Sequence, residues 1–61
     1  MEEKKLMSED ELAEAARDYI YVEGYTDARS ILSVMSQEFP GEVDRKMALK
    51  VIMRVLREER A

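Results

Sequence analysis

The chain has 61 residues, 14 acids against 10 bases for a net charge of −4, and neither cysteine nor histidine. That composition excludes a disulfide, a thiolate metal site and an imidazole acting as general base or metal ligand. A chain of this length forms one domain at most, and its small core calls for a partner subunit or dense helix packing in place of covalent staples.

Charge is unevenly spread. Residues 1–30 hold nine acids and four bases, whereas residues 31–61 hold five acids and six bases. An acidic front and a mildly basic back can pair within one molecule or between two. No apolar run approaches the ~18 residues of a membrane span, and the charged start is not followed by the apolar stretch of a signal peptide. The expectation is a cytoplasmic protein with no membrane partner.

Residues 1–7 read as a flexible lead, and residues 8–61 as a single three-helix domain. Ser8, Glu9, Asp10 and Glu11 carry the strongest local signal. Ser8 with Glu11 three positions on is a capping box, and Met7 with Leu12 is spaced as a hydrophobic staple. Leu12, Ala15, Ala16, Tyr19 and Ile20 recur at helical spacing, with Glu14, Arg17, Asp18 and Tyr21 on the other side. Gly24 suits the left-handed residue that closes a helix. The first helix is predicted over 9–23.

Thr26 is the expected cap of a second helix over 27–38, whose stripe is Ala28, Ile31, Leu32, Met35 and Phe39. Pro40 and Gly41 end it, because a residue before proline is pushed out of helical geometry. The third helix is predicted over 43–59, with Asp44 as cap. Its apolar positions are Met47, Ala48, Leu49, Val51, Ile52, Met53, Val55 and Leu56. At helical spacing they span roughly 240°, far more than the ~100° stripe of an ordinary surface helix. The fold class is therefore all-α, a three-helix bundle with short connections.

Candidate sites follow from these patterns. Glu11, Glu14 and Asp18 share a face but lie on the solvent side of a helix beside Arg17, so they read as a solvated surface rather than acid–base machinery. Ser30, Ser33 and Ser36 have no base to activate them, and Gly24 and Gly41 are too isolated for a phosphate loop. No enzyme, cofactor, metal or small-molecule substrate is expected. The surplus apolar surface of the third helix points to a protein interface at Leu49, Ile52, Met53 and Leu56, joined by Tyr21, an exposed aromatic of the kind favoured at interfaces. Met35 and Met47 read as core filler.

Lys46, Lys50, Arg54 and Arg57 form one basic ridge along the same helix. It offers a second reading, a helix-turn-helix that contacts nucleic acid. That ridge lacks Asn, Gln, Ser and Thr to read base edges, and Glu42 and Asp44 would face phosphates. The function expected from the sequence is a small non-enzymatic protein-binding or regulatory module that self-associates, with a homodimer as its partner state. A DNA-binding regulator is the alternative.

Overall fold

The computed structural model describes residues 5–60, the side chains of residues 59 and 60 excepted. Three helices follow one another: α1 over Glu9–Tyr21, α2 over Ala28–Glu38 and α3 over Arg45–Arg60. No strand occurs among the described residues. Residues 1–4 of the expected lead lie outside them. Met7 belongs to the folded unit, because its amide donates to the Glu42 carbonyl at 2.8 Å and ties the entry of α1 to the connection before α3.

Each start is set by a short polar side chain. At α1 the capping box forms in full: the Glu11 amide donates to Ser8 Oγ at 3.2 Å, and the Ser8 amide donates to Glu11 Oε1 at 2.8 Å. Such a cap contributes about 1 kcal/mol. At α2 the cap is Asp27 rather than Thr26. The Asp27 carboxylate accepts from the Ser30 amide at 3.0 Å and from the Ser30 hydroxyl at 3.3 Å. A carboxylate that takes two donors near the positive end of a helix outcompetes the hydroxyl one residue earlier. At α3 Asp44 caps as expected, accepting from the amides of Lys46 and Met47, so the helix starts at Arg45 and not at residue 43.

The ends are set by glycine and proline. α1 stops at Tyr21, two residues short of the expected end, with Val22 as its last capping residue. Gly24 then takes φ +83°, where side chains with a Cβ are strained, and lets the Tyr25 amide turn back to the Tyr19 carbonyl at 3.0 Å. α2 stops at Glu38, and Phe39 before Pro40 leaves helical geometry at ψ 65°. Gly41, at φ +78°, completes the reversal into α3.

α3 is the central element and packs against both of the others, while α1 and α2 meet sparingly. The core is Leu12, Ala13, Ala16 and Tyr19 from α1, Ile31 and Met35 from α2, and Ala48, Val51, Ile52 and Val55 from α3. Ala13 was absent from the expected stripe, and Ala15 and Ile20, which were in it, are only partly buried. The alanines let backbones approach while burying little area each, so the larger residues carry most of the apolar burial.

Two ion pairs fix the direction of α1 against α3. Glu9 Oε2 accepts from Arg54 Nη1 at 3.0 Å, and Arg17, two turns later, meets Glu58 at 3.9 Å, one turn later along α3. The two helices therefore run the same way. α2 does not form an antiparallel hairpin with α1. The Tyr19 hydroxyl, late in α1, donates to Glu38 at the last residue of α2, so the two helices cross with their ends together. Tyr25 stands edge-on to Tyr19, ring centroids 6.1 Å apart and planes at 80°, and plugs this junction.

Ser36 is the one flaw among the described buried side chains: its hydroxyl is buried and finds no hydrogen-bond partner. An unpaired hydroxyl in such a place costs about 1–3 kcal/mol, and serine is a poorer helix former than alanine. Ser36→Ala is expected to raise the stability of the fold by about 1 kcal/mol. Urea denaturation followed by circular dichroism checks it, and a lower midpoint would show that Ser36 has a bonding role.

Candidate interface on the third helix

The wide apolar arc of α3 is divided by the fold. Ala48, Val51, Ile52 and Val55 are inside, and Leu56 is partly buried. Leu49 and Met53 remain 37% and 49% exposed, and Met47 is 40% exposed. Two expectations are corrected here. Ile52 is fully buried and belongs to the core, so it leaves the proposed contact surface. It stands four residues from Ala48 and three from Val55, within the sector of the helix that α1 and α2 cover. Met47 is not core filler; it sits at the edge of that sector, beside the bases.

Leu49 and Met53 are one turn apart, so they form a continuous apolar strip, with Leu56 a turn further on at its inner edge. The strip lies on the flank of α3 turned away from α1, since the side towards α1 carries Arg54 and Glu58 with their ion partners. Tyr21 is also exposed, at 64%, but on the outer face of α1 with Asp10 and Glu14. Tyr21 and the Leu49 strip therefore occupy different faces and do not make one patch.

All four residues of the basic ridge are exposed. Arg54 is engaged with Glu9; among the described residues, Lys46, Lys50 and Arg57 make no ion pair. Lys46, Lys50 and Arg54 line a groove of about 480 Å³ between the start of α1 and the first half of α3. Met47 and Val51 supply apolar wall, and Glu9 and Asp44 supply carboxylates at its margins. A groove with three cations beside apolar surface suits an acidic, amphipathic segment. A second hollow of about 260 Å³ lies where α1 and α2 cross, lined by Ala15, Tyr19, Val22 and Phe39 with Asp18, Glu23 and Glu38. It gathers no cation.

Glu9 and Asp44 were not singled out by the sequence as part of any site. Asp44 was legible only as a cap, and no spacing rule links residue 9 to residue 54. No group of three or more His, Cys, Asp or Glu residues able to hold a metal ion occurs among the described residues. No helix among them is long and apolar enough to cross a membrane. Comparison with protein-family models, with curated proteins and with solved structures finds no match for this chain.

Proposed function

We propose that this chain is a small non-enzymatic binding module that self-associates, as a dimer, through α3. The observation that carries the reading is the exposed strip of Leu49 and Met53, set beside a basic ridge on the helix that otherwise forms the centre of the core. Apolar side chains next to fixed charges supply affinity and register together, the charges steering and orienting more than binding. A chain of this size without disulfides gains stability from association by mass action.

The test is sedimentation velocity over a range of micromolar concentrations. The wild-type chain is expected to dimerise. Leu49→Asp, which places a charge in the strip, is expected to weaken the dimer on the order of a hundredfold, about 2.7 kcal/mol. A wild-type chain that stays monomeric at high micromolar concentration defeats the reading.

The second reading, a helix-turn-helix regulator that contacts nucleic acid, is favoured by the solvent-facing Lys46, Lys50 and Arg57. It predicts retention on duplex DNA that falls steeply with salt and is lost in Lys50→Glu. The opposing features are the net charge of −4 and the carboxylates of Glu42 and Asp44 at the entry to α3, where a reading helix meets the DNA. We rank it second for these reasons.

A further inference from the structure

We propose that the groove between the start of α1 and the first half of α3 is a docking site for an acidic, amphipathic helix of a partner protein. This goes beyond self-association. The groove lies on the α1 flank of α3, whereas the strip of Leu49 and Met53 lies on the flank turned away from α1. A monomer presents the groove as well as a dimer does.

Charge in the groove is unbalanced once its existing bonds are counted. Its charged lining is Glu9, Asp44, Lys46, Lys50 and Arg54. Glu9 already accepts from Arg54 at 3.0 Å, and Asp44 already accepts from the amides of Lys46 and Met47 at 3.1 and 3.3 Å. Lys46 and Lys50 are exposed and make no ion pair among the described residues. Two ammonium groups thus stand at the rim without a counter-charge, and carboxylates complete them. The net charge of −4 does not cancel this preference. Beyond about 8 Å it is screened at physiological salt, whereas a segment in the groove touches the lysines directly.

The groove also has an apolar side. Met47, 40% exposed, stands at its wall, and the buried Val51 forms its floor. Methionine is flexible and polarisable, and repacks around an incoming apolar side chain. A phosphate chain gains nothing from such a wall and meets Glu9 and Asp44 at the margins, so nucleic acid is the poorer fit. A small molecule is held by a few polar groups placed inside its pocket, but here the lysines, Arg54 and Glu9 are all exposed. A peptide remains, and the fold selects its form. No strand among the described residues offers an edge to an extended segment, and no aromatic ring lines the groove to hold a proline-rich one. A helix laid along α3 needs neither. Its carboxylates at i and i+4 stand about 6 Å apart along the axis, the same interval as Lys46 and Lys50. An apolar residue on the same face of that helix then meets Met47.

The test uses the full-length chain and a fluorescein-labelled helical peptide of about 16 residues, with glutamate at every fourth position and leucine on the adjoining stripe. Anisotropy is expected to show saturable binding at sub-millimolar protein, and circular dichroism a gain of helix on mixing. The same peptide with glutamine for glutamate is expected to bind on the order of tenfold more weakly, and the one with serine for leucine not to bind. Lys46→Glu and Lys50→Glu are each expected to weaken binding on the order of tenfold. Arg29→Glu makes the same change of charge at an exposed position of α2 outside the groove, and is expected to alter affinity less than about twofold. Circular dichroism of each variant alone establishes that it keeps its helices. Amide resonances of Lys46, Met47, Lys50 and Val51 are expected to shift as peptide is added to the wild-type chain. No saturable binding at millimolar protein, equal losses in Arg29→Glu and Lys50→Glu, or shifts centred on α2 or on Leu49 and Met53 overturn the proposal. Duplex DNA that displaces the peptide and shifts the same amides overturns it in favour of nucleic acid. Self-association is read by sedimentation without peptide, so the failure of either reading leaves the other standing.

Discussion

Ile52→Ala is expected to lower the stability of the fold by about 3 kcal/mol, and Leu49→Ala, three residues away, by less than about 1 kcal/mol. The two residues are almost the same size and belong to one helix; they differ in what covers them. Ile52 is fully buried, so shortening it removes transferred surface and leaves a hole in a close-packed centre. Leu49 is 37% exposed, so part of its side chain already meets water and no closed cavity follows its loss. For a domain of this length the whole free energy of unfolding is roughly 3–9 kcal/mol. The Ile52 variant is therefore expected to be largely unfolded on mild heating. Urea unfolding at concentrations below the dimer dissociation constant isolates the protomer and checks both numbers. Equal losses at the two positions would mean that α3 is rotated from the orientation described here, and that the strip assigned to an interface is core.

Much of this arrangement was legible in the chain because it is local. The capping box at Ser8 and Glu11, the cap at Asp44 and the break at Pro40 depend on neighbours within four positions, and each appears where the sequence places it. The errors are of two kinds. At Thr26 and Asp27 two adjacent residues can each cap, and the geometry of the turn after Gly24 decides between them. On α3 the sequence reports how wide the apolar arc is, but not which half the other helices cover. Ile52 and Leu49 look alike on a helical wheel; only the crossing of α1 and α2 separates them.

The ionic part of the site was half legible. Spacing alone shows that Lys46, Lys50, Arg54 and Arg57 form a ridge, because it concerns one helix. It gives no sign that Arg54 is already held by Glu9, since that contact joins residues 45 positions apart. The same limit hid the Tyr19 bond to Glu38, although both residues were readable as members of their helices. What sequence periodicity cannot supply is the level of one helix relative to another. In the folded chain that relation is carried by two ion pairs between α1 and α3 and by the Met7 amide bound to the Glu42 carbonyl.

The junction of α1 and α2 is expected to fail in alkali, and Tyr19 is the reason. Its ring is 7% exposed and its hydroxyl donates to the Glu38 carboxylate. Burial, then that hydrogen bond, then the negative charges of Glu38 and Glu23 hold the phenol well above the ordinary tyrosine range. The fold thus binds the phenolic proton more tightly than the unfolded chain does. The resulting stabilisation is fully present below the unfolded value of about 10 and is lost as pH rises from there towards the folded value. The urea midpoint of the wild-type chain is expected to fall progressively as pH rises above about 10. Tyr19→Phe keeps the buried ring and its edge contact with Tyr25 but has no proton to lose. At neutral pH it gives up one hydrogen bond to an exposed carboxylate, about 1 kcal/mol. The order reverses at about pH 11, where the loss of about 1.4 kcal/mol per pH unit above the unfolded value exceeds that bond, and the phenylalanine variant is then expected to be the more stable of the two. Denaturation curves for both chains at neutral and alkaline pH decide the matter: parallel losses would place the sensitive group elsewhere, whereas a crossover ties it to this one phenol.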